Sequence, residues 1–344
     1  MTDTLSLMAA TLPNASREVR DRIDHYRVAE LTSELATLGV PASVRAEVAS
    51  QWDQLRRDDR MSAVLAQVIA STDAARGRPD SPIAVWDDLH GVAPAGDLFY
   101  FYVMAMCAPA TRSYLHSSGV PESVIESTLA SVHRHTGIYR QKWGTTGIDA
   151  GWWQLVVLRG ELLEIGSLQY HNVTTGVGSL SAQPWYGAKD ADARGPGFRR
   201  GDSQIGLHIP SGARFDPVAL DESLRQARTI LHRVWPTTQR RLATCASWLL
   251  DDQLAGYLPA TSHILAFQRR FTMAPGGHDD DGDILEFVFR RPGASLDDVP
   301  QSTTLERAIV ALIRAGGHWM SRAGWFDFDG TDAEALLDND GART

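Results

Sequence analysis

Between Gly144 and Gly151 the hydrophobic pattern changes period, and this change constrains the fold more than any other feature of the chain. Before it, apolar residues recur at helical spacing. Ser16 is placed to cap a helix that runs past Ile23 towards Leu38 and stops at Gly39. Val44, Val48, Trp52 and Leu55 fall on one face of the next helix, and Met61, Val64, Leu65, Val68 and Ile69 mark a third. The run from Leu98 to Met106, with Asp97 as its expected cap, is apolar nearly all round and reads as a buried helix. Pro121 and Glu122 open the last helix of this half, which reaches Tyr139.

After the change, alternation takes over. Trp152 to Leu158 reads as a strand that turns through Arg159 and Gly160 into a second strand from Glu164 to Tyr170. A Gly-, Ala- and Asp-rich loop spans residues 174–202, and loops of this length inside a compact domain are functional or disordered. Ile205 to Ile209 forms a third strand. It enters the short loop Pro210-Ser211-Gly212-Ala213-Arg214-Phe215-Asp216, and a helix opens at Pro217 with Leu220, Leu224, Ala227 and Leu231 on one stripe. A strand that runs into a helix start is a ready anion site, because free amides and the positive helix end converge on the loop. Further along, Leu242–Leu250 reads as strand, Ser262–Phe271 as helix, Asp283–Arg290 as strand and Thr303–Ala315 as helix. The expected fold class is therefore α+β or mixed α/β: an all-helical domain over 1–145, then a domain over 146–326 with a mixed, mostly antiparallel sheet flanked by helices. From Asp327 to residue 344 the chain is acidic and poor in apolar residues, and it is expected to be disordered.

Composition matters mainly for what it excludes. A net charge of −9 argues against a general nucleic-acid surface. Cys107 and Cys245 are the only cysteines, too few for a disulfide framework or a zinc cluster. No apolar run approaches the ~20 residues of a membrane span, and the N-terminus lacks a positive signal region. A cytoplasmic protein without a metal, a membrane or a nucleic-acid partner is the expectation. The acidic run His278–Asp283 lacks the ligand spacing of a calcium loop.

The segments Arg159–Tyr170, Leu207–Gly212, Ser247–Asp251, Ser262–Phe271 and Thr303–Ala308, with Asp97–Tyr100 in the first half, resemble a bacterial family of acyltransferase-domain proteins. In that family a helical N-acyltransferase N-terminal domain precedes a GNAT-like C-terminal domain. The resemblance implies acetyl-CoA or another acyl-CoA as donor and an amine of a small molecule as acceptor. It implies that Ile209, Ser211, Gly212, Ala213 and Arg214 hold the coenzyme. Most GNAT enzymes carry a second glycine in this loop; here Gly212 stands alone, and Arg214 is placed to supply charge-assisted bonds in its stead.

Acyl transfer to an amine needs a base, stabilisation of the carbonyl oxygen and accommodation of the leaving thiolate. His208 shares a strand face with Gly206, where a substrate has room, and is read as the base or else as a structural histidine. Glu164 is placed to meet an acceptor amine, or is a solvated turn carboxylate. In the resembled superfamily the strand carrying Ser247 splays from its neighbour; this implies that Ser247 donates to the leaving sulfur and that Tyr257 is a further proton donor. Two other classes stay open on the residues: a non-catalytic scaffold, favoured by the weakened glycine loop, and a hydrolase built on Cys245 and His208.

Overall fold

The computed structural model describes residues 4–83, 86, 89–93, 95–177, 186–236, 241–291 and 295–330. The chain divides into two compact units, Met1–Ile165 and Gly166–Thr344.

The first unit carries α1 (Thr4–Thr11), α2 (Arg17–His25), α3 (Val28–Thr37), α4 (Ala42–Arg57), α5 (Asp59–Ala75), α6 (Phe99–Ser117), α7 (Glu122–Ala130), α8 (Val132–Trp143) and α9 (Gly151–Leu158), and ends in the strand β1 (Leu162–Ile165). Ser16 caps α2 by accepting from the Val19 amide, as its position predicts. Gly39, at φ 73°, ends the α3 turn in a conformation that only glycine adopts freely. The predicted faces are buried: Val44, Val48, Trp52 and Leu55 of α4 face the core, and nearly all of α6 up to Ala108 is enclosed. Two large polar aromatics of this core find backbone partners, with Trp52 Nε1 donating to Tyr26 O at 3.1 Å and Tyr102 Oη to Val48 O at 2.8 Å.

Four sequence expectations fail here: the helix read from Ser16 towards Leu38 breaks at Tyr26 into α2 and α3, the one read from Pro121 to Tyr139 breaks at Ser131 into α7 and α8, and two more concern Asp97 and Trp152–Leu158. Asp97 does not cap α6; its carboxylate instead accepts from the Gly91 amide and meets His90 and Tyr139. The run Trp152–Leu158 is not a strand but the helix α9. Leu155, Val156, Val157 and Leu158 are all buried, so the run has no alternation, and an unbroken apolar run does not by itself distinguish strand from helix. Gly151 begins this helix because a β-carbon there would sit 1.9 Å from the Tyr100 ring of α6.

The second unit holds β2 (Leu168–Thr174), α10 (Ala188–Arg194), β3 (Ser203–His208), α11 (Pro217–Val234), β4 (Leu242–Ser247), α12 (His263–Gln268), β5 (Thr272–Met273), β6 (His278–Asp279), α13 (Asp281–Phe289), α14 (Thr304–Arg314) and β7 (Met320–Asp327). Its strands follow the order β2-β3-β4-β7-β5, with β6 also on β7; β3 and β4 run parallel and the other four of these pairs antiparallel. One sheet face packs on α11 through Leu220, Leu224, Ala227 and Leu231. A second core gathers α12, α13 and α14 around Trp319.

Asp283–Arg290, expected as a strand, lies in α13 up to Phe289. Ile284, Leu285, Val288 and Phe289 stand at helical spacing, and this set faces the Trp319 core. β7 carries no marked alternation: Gly324 is its one fully buried position, so its pairing with β4 had no sequence signal. The acidic tail does not begin at Asp327. Phe328 is fully buried, and Asp329 pairs with Arg241; residues 331–344 lie outside the described part. Among the described residues no helix is long and apolar enough to cross a membrane.

Candidate active site

Strand register builds the site. In the antiparallel β2–β3 ladder Gln169 stands opposite His208, and His171 opposite Gly206. Directly paired residues share a face, so Gln169, His171, Gly206 and His208 form one group. Tyr170 and Leu207 point to the other face, where Tyr170 Oη and Ser223 Oγ of α11 lie 2.8 Å apart. The His171 and His208 rings are 5.6 Å apart, centroid to centroid. Gly206 lets the two rings approach the strand closely: a methyl group there would be in van der Waals contact, 3.4 Å from His171 Cβ and 3.5 Å from His208 Nε2. Burial pushes both imidazoles down to about 3, and for His208 the neighbouring His171 adds to the effect. Part of the His208 residue surface still reaches solvent, while His171 is fully enclosed. Burial thus favours the neutral form of both rings and opposes their protonation.

β3 and β4 part beside this pair. Their parallel ladder consists of Ile205↔Ala243 and Gly206↔Thr244, although β3 continues to His208 and β4 to Ser247. On its other edge β4 stays paired with β7 as far as Ser247↔Arg322. The sheet thus opens between the C-terminal halves of two central strands, where backbone groups ordinarily find a ladder partner. At the mouth of this opening lies the loop to α11. Gly212 takes φ 79°, the Ala213 amide closes a turn onto Pro210 O at 3.1 Å, and Asp216 caps α11 by accepting from the Ala219 amide at 2.9 Å. That amide bond, with Arg214 nearby, holds the Asp216 carboxyl below its usual range. The Arg214 side chain is 79% exposed and its Nη2 lies 3.3 Å from Asp216 Oδ2.

The remaining predicted residues fall in different places. By register Cys245 and Ser247 point to the α11 face, opposite to the face that His208 occupies. Burial pushes the Cys245 thiol up to about 12, so neither orientation nor thiolate supply supports a Cys245–His208 nucleophile, and the hydrolase reading is withdrawn. Ser247 Oγ accepts from the Leu249 amide at 3.1 Å, which leaves its own proton available. Glu164 belongs to the first unit, where Arg134 grips it with two bonds of 3.1 and 2.8 Å. Tyr257 lies beyond β4, exposed, with its ring 5.7 Å from that of Trp319 at the edge of the second core. Ile209 and Ser211 continue β3 into the loop. Sequence reasoning missed His171, because the second strand was ended at Tyr170. The signal was present: Gln169, His171 and Val173 alternate on one face of β2. Among the described residues no group of three or more His, Cys, Asp and Glu is placed to hold a metal ion.

An open parallel pair next to a strand–loop–helix turn is the architecture of an acyl-transfer enzyme, and comparison with known proteins agrees. The N-acyltransferase N-terminal domain model matches residues 29–160, and the GNAT-like C-terminal domain model matches residues 162–326. A solved acyltransferase in complex with decanoyl-CoA is 31% identical over 92% of this chain and 89% of that one, with TM-score 0.72. An acyltransferase with decanoyl-CoA and teicoplanin is likewise 31% identical over 92% and 89%, with TM-score 0.71. One with CoA and 10C-teicoplanin is 29% identical over 94% and 93%, with TM-score 0.72. No curated protein matches the chain. The chain is an acyltransferase. It belongs to the family that joins an N-acyltransferase N-terminal domain to a GNAT-like C-terminal domain.

The space above Gly206 makes a direct test of the imidazole pair. Gly206→Val keeps an extended strand residue and favours β structure, but its methyls would occupy the room beside His208 Nε2. Activity is expected to fall by about 10²-fold, the scale of misplacing a reacting group, with the midpoint of thermal unfolding little changed. Full activity of the variant would show that nothing reacts above this glycine.

Proposed function

We propose that this chain moves an acyl group from acyl-CoA to an amine of a small molecule by direct, base-assisted transfer. The observation that carries the proposal is the parting of β3 from β4 beside His171 and His208. A pantetheine arm is an extended chain with amide groups, and the open strand edges offer it the partners a ladder would. Its pyrophosphate would rest on the loop of Ile209, Ser211, Gly212, Ala213 and Arg214 at the start of α11. The loop lies towards the α11 face and the histidines lie on the other, so the arm passes through the sheet and brings the thioester beside His208.

There the amine nitrogen attacks the thioester carbon while His208 Nε2 takes the nitrogen's proton. The carbon–sulfur bond then breaks, and the electron pair leaves on the thiolate. Ser247, on the α11 face of the opening, donates a hydrogen bond to the departing sulfur. His171 keeps the neighbouring space neutral and orders the His208 ring. Glu164, gripped by Arg134, would meet the acceptor amine, and Tyr257 would serve as a further proton donor. The similar structures that contain teicoplanin support an acceptor of small-molecule size.

Calorimetry with CoA and decanoyl-CoA tests the donor site. Both should bind, and Arg214→Ala should weaken both about tenfold, the worth of one charge-assisted hydrogen bond. If the wild-type chain takes up neither ligand, the acyl-CoA reading is wrong. An unchanged affinity in the variant removes Arg214 from the site and leaves it as a surface partner of Asp216.

A further inference from the structure

We infer that Ala246 sets the length of acyl chain this enzyme accepts; the inference rests on the acyl-CoA reading above. Two residues beyond the last β3–β4 pair, Gly206↔Thr244, stand His208 on β3 and Ala246 on β4. A step of two returns each side chain to the face of its starting pair. His208 and Ala246 therefore face the same way from opposite banks of the opening.

Ala246 is exposed although it sits in a central strand whose other edge is fully paired with β7. A side chain in that position is ordinarily covered by the layer packed on the sheet. Here the cover is present only towards the other end of the strands. Leu242 packs under Ala191 and Phe198, and Trp325, the partner of Thr244, is held edge-on by Phe198 with rings 4.8 Å apart. Among the described residues the aromatic cover thus ends at the Thr244–Trp325 pair, and beyond it Ala246 is exposed and its partner Ala323 half-buried.

A thioester held beside His208 has its acyl carbons next to this uncovered floor. A single methyl at position 246 lets an extended alkyl chain lie across it in apolar contact. A larger side chain would fill the same volume and stop the chain within a few carbons of the carbonyl. An acetyl group, with one carbon beyond the carbonyl, would not reach it.

The test titrates the full chain with CoA, acetyl-CoA and decanoyl-CoA, for the wild type, Ala246→Phe and the milder Ala246→Val. The expected result is that decanoyl-CoA loses at least about tenfold in affinity to the Phe variant, the worth of about two methylenes removed from an apolar contact. CoA and acetyl-CoA should bind as in the wild type, and the Val variant should fall between. Should Phe prevent folding, the Val variant carries the same comparison. Unchanged decanoyl-CoA affinity in a folded variant overturns the inference and leaves the acyl-CoA reading standing. An equal loss for all three ligands also overturns it, because the residue would then touch the pantetheine arm. If the wild type binds none of the three, the donor reading fails and this inference fails with it.

Discussion

Replacement of His208 by alanine is expected to lower kcat by about 10²–10⁴-fold, the range for removing a positioned general base, with decanoyl-CoA affinity retained. His208 Nε2 lies 3.5 Å from the point where a Gly206 β-carbon would stand, and burial keeps the ring neutral. The same burial makes an imidazolium costly, so a proton taken from the amine must move on as the thiolate leaves. His171→Asn should cost less, because His171 acts through the placement of its neighbour. Rapid-quench measurement of product formation separates loss of chemistry from loss of binding. An unimpaired His208→Ala enzyme would assign proton removal to another group.

The imidazole pair also predicts how stability varies with pH. Both folded values, about 3, lie below the ordinary 6.5. Between these limits the unfolded chain binds more protons than the folded one, so stability rises with pH across that window. The contribution is fully present above 6.5 and is lost as pH falls through 3. Denaturant midpoints recorded from pH 7 down to pH 4 should therefore drop more steeply for the wild type than for a His171→Asn, His208→Gln double variant. Parallel curves would mean that water reaches both rings more freely than their enclosure indicates.

How much of this was legible in the sequence depended on whether a residue's neighbours lie close along the chain. The α11 stripe, its Asp216 cap and the face of α4 repeat at helical spacing, and each stands where periodicity put it. His208 and Gly206 share a face because strand alternation is equally local. α9 was misread because burial on several sides erases the period, with Val156 and Val157 both enclosed; α13 has one buried face, with Phe287 half exposed, and was misread because its apolar run is too short to display the helical spacing. The partnership of His171 with His208 depends on a ladder between segments more than thirty residues apart. No local rule supplies that register. The parting of β3 and β4 is further from view still, since a missing pair leaves no mark on either strand. Family resemblance supplied what periodicity could not: the expectation that the strand carrying Ser247 leaves its neighbour.

Asp329→Ala is expected to destabilise the fold by about 3 kcal/mol, at the low end of the range for orphaning one member of a buried ion pair. Arg241 is enclosed, with its side chain 1% exposed, while Asp329 is 24% exposed and keeps some access to water. The guanidinium reaches Asp329 Oδ1 at 3.0 Å, Trp235 O at 3.3 Å and Leu231 O at 3.4 Å, and it lies 5.3 Å from the centre of the Phe328 ring. Removing the carboxylate leaves a buried cation among carbonyls and the face of an aromatic ring, without its counter-charge. Asp329→Asn keeps an acceptor and should cost only about 1 kcal/mol, the scale of a single hydrogen bond. Urea denaturation should show a lower midpoint with an unchanged slope. A loss below about 1 kcal/mol for the alanine variant would mean that solvent replaces the carboxylate. The clamp matters beyond stability because Arg241 immediately precedes β4 and its carbonyl accepts from the Phe328 amide at 3.0 Å. It fastens β4 to β7 at the end where β4 begins, so β4 can leave β3 at its other end without losing its place in the sheet. The opening beside His208 is then a fixed feature of the fold, held by a pair that lies at the far end of the strand.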